Sequence, residues 1–469
     1  MGLSRINQSI IGRTDSYKVT QWLQLQPNTE QQYAYFESRY GEFPYTVLFG
    51  LYYYAVEYLE RPITQADIDF WDPIFSAHFN DPALYNREGW EIILNEYGGY
   101  LPIRIKALPE GTVVPTRVPL YTVEVLDKRL AWLTTYVETL LSKVWYTSTV
   151  ATVSRRALEI ITKYANLTGS SPDGVLFKLH DFGYRGASSE ETAGLGGAAH
   201  LINFLGTDTV IALQVAMAYY QAEVVGFSIP ASEHSTMSQW GEDREVDAYR
   251  NMIQQFGESP TGIFACVSDT WDIQNAASQI WGEDLRAEVE AMSNMLVVRP
   301  DSGNVMEVVL DVITRLGAKF GYTLNETGFK VLNNVRVIQG DGMDLGMIER
   351  VCHQLYAEGW AIENVAFGMG AGLLQKVNRD TQGFAYKVSS SVVAGREFDV
   401  FKRPATDPQK NSQRGRFAVV RSHISGELEV RDQYDTAAEY DLLETVFQYG
   451  KWVVAPPKFA DIRERAALS

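Results

Sequence analysis

The chain has 469 residues, too many for one ordinary core, so two domains are expected. Apolar residues make up 46% of it and charged residues 21%, as in folded soluble proteins. The net charge is −17 and no sustained run of Lys or Arg occurs, which argues against a nucleic-acid-binding protein because that class needs a basic face.

The first part of the chain, residues 1–150, has the pattern of a mixed α/β region. Periodicity and turn residues divide it into elements. The predicted elements are an amphipathic segment from Asp15, strands over 32–37, 103–107 and 120–125, and helices over 47–58 and 130–144.

From about residue 150 to 385, a strand-like run, a polar loop and a helical stretch repeat roughly every 30 residues, which predicts an α/β barrel. The strand-like runs are 175–177, 224–229, 263–267, 295–298, 335–338 and 365–367. The polar motifs behind apolar runs are 180–185, Asp208, 232–235, 268–272, 299–303, 339–342 and 368–372. Because reactive groups gather at the carboxyl ends of barrel strands, this mixture of acids, arginines, histidine and glycine turns predicts a site for phosphate chemistry.

The last part of the chain returns to strands, over 417–421 and 428–431, and closes with a helix from Ile462. We expect this tail to pack on the N-terminal part. The predicted fold class is therefore α/β, with an irregular α/β barrel over 151–385 that carries most of the active site. A discontinuous mixed α/β outer domain is built from 1–150 together with 386–469.

The cysteines and the apolar runs bear on location. Cys266 and Cys352 form neither a disulfide framework nor a zinc spacing, which fits a reducing compartment. The N-terminus has no signal-peptide core and no apolar run is long enough for a bilayer. A cytoplasmic protein is predicted.

Two kinds of motif suit phosphate and ribose. Small residues over 368–372 let backbone N–H groups approach a phosphate at a helix N-terminus, although an ordinary tight turn has the same composition. The spacing fits neither a Walker A loop nor a dinucleotide turn. Asp301 and Asp341, each close to a glycine at a strand end, can hold a ribose diol or Mg²⁺, and an Asx turn is the alternative for either one alone.

Three further features suit an aromatic, anionic substrate. His234, between Glu233 and Ser235, is a candidate for proton transfer or nucleophilic chemistry, although a lone histidine is usually structural. Phe182 offers a ring for stacking, or simply for the core. The local concentration of basic residues either steers a polyphosphate or forms a solvated loop; its members are Lys402, Arg403, Lys410, Arg414 and Arg416.

Taken together, these motifs resemble the nicotinamide phosphoribosyltransferases from about residue 10 to 465. The matching runs are 14–20, 35–37 with Arg39, 178–186, 206–209, 233–236, 299–304, 337–342 and 373–376. The resemblance implies a type II phosphoribosyltransferase fold and a homodimer with active sites at the subunit interface. It implies that nicotinamide and 5-phosphoribosyl 1-pyrophosphate give nicotinamide mononucleotide and pyrophosphate, in NAD salvage.

The resemblance also implies roles for particular residues. Around nicotinamide, Phe182 stacks on the ring, Tyr17 of the other subunit covers its opposite face, Asp208 accepts from the carboxamide and Arg299 shares the pocket. Ribose and phosphate are assigned Arg185, Ser268, Asp301, Gly340, Asp341, Gly370 and Ala371. The pyrophosphate end is assigned Arg39, Arg379, Lys387 and Lys410.

ATP and Mg²⁺ are the implied cofactors. His234 matches the histidine that ATP phosphorylates, with Glu233 and Asp272 beside it. Mg²⁺ would bind through the phosphates, with Asp301 and Asp341 as candidate ligands.

The chain departs from the family pattern in two places. Phe177 replaces a Tyr, so a hydroxyl contact is lost, and Met369 and Ala371 stand where Ser and Gly are usual. Met369 could narrow the phosphate loop.

Two alternative functions stay open. One is nicotinate phosphoribosyltransferase, which Asp208 disfavours because it would repel a substrate carboxylate. The other is a non-catalytic signalling or scaffold protein on the same fold, which would need neither His234 nor Asp301.

Overall fold

The computed structural model describes residues 6–468, within which the chain forms two compact units. Unit 1 takes the described chain up to Thr152 together with Tyr219–Gln221 and Asn378–Ala467, and unit 2 takes Val153–Ala218 and Ala222–Val377. The first five residues, on which the expectation about a signal peptide partly rests, lie outside this description. No helix within residues 6–468 is long and apolar enough to cross a membrane.

The strands are labelled in chain order. They are β1 (Thr29–Ser38), β2 (Tyr45–Val47), β3 (Ile103–Ala107), β4 (Val113–Pro115), β5 (Tyr121–Val125), β6 (Leu179–Asp181), β7 (Gly206–Thr207), β8 (Ile263–Val267), β9 (Met295–Arg299), β10 (Tyr322–Leu324), β11 (Lys330–Leu332), β12 (Val335–Gln339), β13 (Val365–Met369), β14 (Phe384–Val393), β15 (Arg396–Asp399), β16 (Phe417–Arg421), β17 (Leu428–Asp432), β18 (Glu444–Gln448) and β19 (Lys451–Trp452).

The helices are labelled in the same way. They are α1 (Ser16–Val19), α2 (Leu51–Tyr54), α3 (Gln65–Phe79), α4 (Arg87–Tyr97), α5 (Leu133–Tyr136), α6 (Glu138–Leu141), α7 (Val144–Leu167), α8 (Pro172–Val175), α9 (Glu190–His200), α10 (Val210–Tyr220), α11 (His234–Ser238), α12 (Glu245–Phe256), α13 (Ile273–Asn275), α14 (Arg286–Ala291), α15 (Val305–Phe320), α16 (Leu345–Ala357), α17 (Ala371–Leu374) and α18 (Phe459–Ala466). Helices α2 and α13 continue as π-helical turns over Ala55–Leu59 and Ala276–Asp284.

Unit 1 is built on an antiparallel sheet with the order β15–β14–β1–β5–β3–β18–β19. The three strands from the first part of the chain therefore lie side by side at the centre, flanked on both sides by strands from the last part. At its centre Phe36 stacks on Tyr121 at 4.9 Å and on Phe384 at 5.3 Å, so one ring from each of β1, β5 and β14 forms a continuous apolar layer.

Unit 2 is built on a parallel sheet with the order β7–β6–β13–β12–β9–β8. Its strands are short apolar runs, as expected for strands covered by helices. Helix α15 shows why the intervening stretches are helical: Asn304 caps its first turn, and Val308, Val312 and Leu316 recur at helical spacing and are buried. The predicted mixed α/β fold with a parallel strand-and-helix core is confirmed.

The segment 227–231 links the two edges of this parallel sheet. Phe227 bridges to Gly206 on one edge, and Ala231 bridges to Ala265 on the other. Because the link consists of isolated bridges, the sheet closes as an irregular half-barrel. Its interior packs Ala265, Val297 and Ile338 together.

Some predicted elements were wrong. Residues 175–177 form the end of helix α8 and the turn that follows it. The strand at the 180–185 motif is β6, which includes the first two residues of the motif. Residues 224–229 form only the Phe227 bridge. The helix predicted over 47–58 begins at Leu51, and the one predicted over 130–144 is divided into short helical turns. Gly50, with φ of +99°, separates β2 from α2, because no helical residue adopts that backbone conformation.

Candidate active site

A cleft of about 1020 Å³ opens at the carboxyl edge of the parallel sheet in unit 2. Its aromatic and charged lining residues are Phe182, Tyr184, Arg185, Glu190, Asp208, Glu233 and Arg299. These residues come from motifs far apart in the sequence and meet because parallel strands end at a common edge. The predicted nicotinamide-binding residues of unit 2 are thus brought together.

The ring of Phe182 lies directly over backbone. A Cβ added at Gly368 would come within 2.0 Å of ring atom Cε2, and one added at Gly340 would come within 3.2 Å of it. The guanidinium carbon of Arg299 lies 5.3 Å from the ring centroid, at cation–π distance. The glycines of β13 and of the loop after β12 therefore provide the space for this ring.

Arg299 and Asp301 are paired to each other. Nη2 of Arg299 lies 2.8 Å from Oδ2 of Asp301, and Nε donates to Oδ1 at 3.1 Å. Both side chains are mostly buried, so this two-point contact fixes the carboxylate and its counter-charge as a unit. The carboxylate also lies beside Gly340.

Asp208 offers an exposed carboxylate that faces the cleft. Its Oδ1 accepts a hydrogen bond from the hydroxyl of Ser228, which the sequence analysis did not single out. Its backbone N–H donates to the carbonyl of Asp181 at 3.0 Å. Asp181 is buried, accepts from Gly183 N–H at 2.7 Å, and has its pKa raised to about 6 by burial. Asp181 thus ties the Phe182 loop and the Asp208 backbone to the end of β6.

His234 begins helix α11, and its carboxylate partner is Asp269. Nε2 of the half-exposed ring lies 3.0 Å from Oδ1 of the buried Asp269 side chain. Donation of an Nε2–H to Asp269 leaves Nδ1 with its lone pair available. The geometry suits a nucleophilic nitrogen that is held in one orientation.

Glu233 and Asp272 were expected to orient this ring, but in the structure they cap helices. Glu233 is the N-cap of α11, and its carboxylate accepts from Ser235. Asp272 caps α13 by accepting from the backbone N–H groups of Gln274 and Asn275 at 2.9 and 3.0 Å. Both carboxylates therefore cap the N-termini of helices. The carboxylate that contacts the His234 ring is that of Asp269, which corrects the expectation.

Ser268 is enclosed rather than open to a phosphate. Its hydroxyl donates to the carbonyl of Cys266 and accepts from Trp281 Nε1–H, both at 3.0 Å, and the residue has no exposed surface. Its backbone N–H donates to the carbonyl of Arg299. Ser268 therefore fastens β8 to β9, and the phosphate role expected of it does not fit this geometry.

The glycine-rich turn after β13 is open. Gly370 and Ala371 precede the short helix α17, and the carbonyl of Met369 accepts from Phe182 N–H at 3.0 Å. The Met369 side chain is completely buried and packs beside Gly372. Because the side chain has no exposed surface, it does not protrude from the turn, which corrects the expected narrowing of the phosphate loop.

The predicted pyrophosphate residues lie in unit 1. Tyr35 of β1 pairs with Lys387 of β14, and Arg39 follows the end of β1 and donates to the carbonyl of Gly383 at 3.2 Å. Burial lowers the pKa of Lys387, and Arg39 and Arg379 act on it in the same direction. The expected cations therefore gather at one end of this sheet.

Other members of the basic concentration differ in their surroundings. Lys410 is exposed and pairs with Asp407 at 2.9 Å. Arg416 is buried between Glu124 and Glu397 at 2.9 and 2.8 Å, so its charge is neutralised inside the fold. Tyr17 is 59% exposed.

A Mg²⁺ site would need carboxylates that are free to bind the ion. Within the described residues no group of three or more His, Cys, Asp or Glu is arranged to hold a metal ion. Asp301 is engaged by Arg299, whereas Asp341 is exposed. Mg²⁺ usually keeps several waters and uses one or two carboxylates together with substrate phosphates, so Asp341 fits such an ion.

The chain is similar to known phosphoribosyltransferases over most of its length. A model of the nicotinate phosphoribosyltransferase (NAPRTase) family matches residues 177–451, and one of the nicotinamide phosphoribosyltransferase N-terminal domain matches residues 9–105. Nicotinamide phosphoribosyltransferase of Xanthomonas campestris is 48% identical over 448 residues, which cover 94% of this chain and 95% of the relative. The enzyme of the same name from Acinetobacter baylyi is 36% identical over 391 residues, 79% of this chain and 77% of the relative.

Two solved structures share the fold. Nicotinate-nucleotide pyrophosphorylase from Pyrococcus furiosus aligns with a TM-score of 0.61 at 16% identity, covering 99% of this chain and 96% of that one. Human nicotinic acid phosphoribosyltransferase aligns with a TM-score of 0.57 at 18% identity, covering 97% and 92%.

Proposed function

Because the chain belongs to the nicotinamide phosphoribosyltransferase family and is a phosphoribosyl-transferring enzyme, we propose that it joins nicotinamide to 5-phosphoribosyl 1-pyrophosphate, giving nicotinamide mononucleotide and pyrophosphate. The observation that carries the choice of substrate is the exposed carboxylate of Asp208 in the same cleft as the Phe182 ring. A carboxylate accepts from an amide N–H and repels another carboxylate. Nicotinamide has the amide, and nicotinate has the carboxylate.

The substrate ring would stack on Phe182. Arg299 lies against the same ring and cannot move freely, because Asp301 holds it at two points. Ser228 fixes one oxygen of Asp208, which leaves the other oxygen for the carboxamide. Stacking and the hydrogen bond together orient the pyridine nitrogen toward the ribose.

The reaction needs no base. The pyridine nitrogen carries a free lone pair, so it forms the bond to the anomeric carbon while the bond to pyrophosphate breaks. Positive charge then develops on the ribose, where the carboxylate of Asp301 would stabilise it. Mg²⁺ bound to the phosphates would supply positive charge to the leaving group, with Asp341 as its protein ligand.

We assign His234 to coupling with ATP. Its ring is half exposed and is held by Asp269 through one nitrogen, and no other step of the transfer requires it. Attack by Nδ1 on the γ-phosphorus would form phosphohistidine and release ADP, and later hydrolysis would return the free ring. By analogy with phosphorylated hydroxyl groups, the modification would add about −1.5 to −2 charges near the cationic ribose.

A homodimer would complete the site. Tyr17 is exposed, and Arg39, Arg379 and Lys387 gather in unit 1. We propose that these residues serve the cleft of the partner subunit, where the ring would cover nicotinamide and the cations would hold pyrophosphate. A cytoplasmic location stays a prediction.

The test is a direct assay of the purified protein. With the phosphoribosyl donor and Mg²⁺ present, product formation is compared for nicotinamide and nicotinate, each with and without ATP. We expect nicotinamide to be preferred by at least about tenfold, the worth of one charge-assisted hydrogen bond. A preference for nicotinate would favour the alternative transferase, and no product from either base with folded protein would favour the scaffold alternative.

A further inference from the structure

Arg117 has an unusual backbone conformation in unit 1. Its φ is +71°, in the left-handed region that favours glycine. Such strain in a bulky residue persists only where surrounding contacts hold it. The hydrogen bonds of the Arg117 side chain show which contacts hold this backbone conformation.

The Arg117 side chain grips a loop. Nη1 donates to the carbonyl of Asn411 at 2.8 Å, and Nη2 donates to that of Gln409 at 2.7 Å. The guanidinium therefore closes over residues 408–413, which include the exposed Lys410. Its own backbone N–H donates to the carbonyl of Ser38 at 2.7 Å, which anchors it to the end of β1.

Gln413 fastens the far end of this loop. Its backbone N–H donates to the Tyr35 hydroxyl at 2.8 Å, and Nε2 donates to the carbonyl of Arg117 at 2.8 Å. Nε2 also donates to Glu37, which is fully buried. The loop is thus held at Gln409, Asn411 and Gln413 by residues that lie on β1 or are anchored to it.

We propose that Arg117, through this clasp, is a positioning residue that keeps Lys410 ready for the pyrophosphate of the phosphoribosyl donor. This rests on the proposed function. An exposed lysine on a free loop loses conformational entropy when it binds an anion, whereas a pre-ordered loop has already lost it. The effect should therefore fall on the affinity for the donor and leave nicotinamide binding unchanged.

The experiment compares Arg117→Gly, Arg117→Lys, Lys410→Ala and the surface control Arg431→Ala, which loses only an exposed pair with Glu429. The Arg117→Gly variant lacks the side chain, and glycine adopts φ of +71° without strain. The Tm of this variant should therefore not fall. We expect Arg117→Gly to raise KM for the phosphoribosyl donor about tenfold, with kcat and KM for nicotinamide within about twofold. Arg117→Lys should recover part of the effect, because one of two donations can be kept.

Hydrogen–deuterium exchange of residues 407–413 reports the clasp without reference to activity. Faster exchange in Arg117→Gly, but not in Arg431→Ala, supports it, and unchanged exchange overturns it. If exchange rises and Lys410→Ala raises KM for the donor, but Arg117→Gly does not, positioning is unnecessary and the inference is wrong. If Lys410→Ala leaves KM for the donor unchanged, Lys410 does not bind the pyrophosphate and this inference is wrong. The proposed function is tested separately, by product formation.

Discussion

At Asp208 a single exposed carboxylate is proposed to distinguish an amide from an acid. Asp208→Asn removes the charge that repels nicotinate, and its amide can present either an acceptor or a donor. We expect the ratio of kcat/KM for nicotinamide to that for nicotinate to fall about tenfold or more, since a hydrogen bond to a charged group is worth roughly 1.5–3 kcal/mol. Asp243→Asn, an exposed change outside the cleft, is the matched control. Unchanged selectivity would remove Asp208 from substrate recognition.

The role proposed for His234 predicts that two activities can be separated. In His234→Ala the ring that would accept the phosphoryl group is gone, while Phe182, Asp208 and the cations of unit 1 remain. We expect ATP hydrolysis and ATP stimulation to be lost, with a slow ATP-independent transfer retained. Mononucleotide formation and ADP release are measured together, with the exposed His423→Ala as control. If ATP still stimulates the variant as it does the parent, the coupling model is wrong.

Some residues of the site were predicted from the sequence, and others were not. Phe182, Asp208 and Arg299 lie in polar motifs behind apolar runs, and the resemblance assigned all three to nicotinamide; in the structure they line one cleft. The partner of His234 was missed because residues 268–272 contain two acids, and periodicity does not tell which one turns inward and which one caps a helix. Ser228 carried no signal, since it lies in an irregular segment.

Strand β13 and the Phe182 loop are in close contact at Gly368, and a substitution there tests whether this contact positions the ring. A methyl group at this position would lie 2.0 Å from the ring, so the ring must move. We expect Gly368→Ala to raise KM for nicotinamide at least about tenfold, because small displacements of a positioning group are costly. Gly174→Ala is the control, since its added Cβ would meet nothing within 4 Å. Equal KM values in the two variants would show that the ring does not position nicotinamide.

We expect the stability of the protein to depend on pH through Glu110, which contacts the start of helix α2. Glu110 accepts from Tyr52 N–H at 2.7 Å and is buried, which raises its pKa to about 7. A raised pKa means that its contribution to stability is fully present below about pH 4.5 and is lost as pH rises through 7. The loss amounts to at most about 3 kcal/mol, from about 1.4 kcal/mol for each pKa unit.

Glu110→Gln removes this titration. We expect the fall in Tm between pH 5 and pH 8 to be smaller in Glu110→Gln than in the parent, as measured by calorimetry. Some fall should remain, because burial also raises the pKa of Glu37 to about 7. The exposed Glu439→Gln should behave like the parent. A fall in Tm equal to that of the parent would show that Glu110 does not titrate in this range.

Apolar runs predicted some strands of the parallel sheet correctly and others wrongly. The runs 263–267, 295–298, 335–338 and 365–367 all became strands of the parallel sheet. Residues 175–177 and 224–229 are equally apolar, but the first packs at the end of a helix and the second closes the half-barrel through isolated bridges. Apolar runs report burial, and tertiary packing decides the conformation.

The sheet of unit 1 joins strands that are more than 300 residues apart, such as β1 with β14 and β3 with β18. Composition shows that the tail returns to strands, but it cannot show which strand each one pairs with, because register depends on side chains across the sheet. Local patterns predicted the barrel and the packing of the tail on the first part of the chain, and the resemblance supplied the particular fold family. It also supplied the expectation of a dimer, which is testable at this scale.

A site shared between subunits predicts complementation. Tyr17→Ala and Phe182→Ala homodimers should each be nearly inactive, because each lacks one of the two rings proposed to enclose nicotinamide. After subunit exchange, half of the dimers are mixed, and one of the two sites in each mixed dimer regains both rings. We therefore expect recovery of up to about one quarter of the parent activity.

The control for complementation is a mixture of Tyr17→Ala with the double variant Tyr17→Ala, Phe182→Ala. No dimer in that mixture has an intact pair of rings, so no activity should return. Exchange itself is followed by native mass spectrometry with one variant of different mass. If exchange is complete and the first mixture stays inactive, Tyr17 and Phe182 do not act on one substrate from two subunits, and each cleft must bind nicotinamide with residues of its own chain.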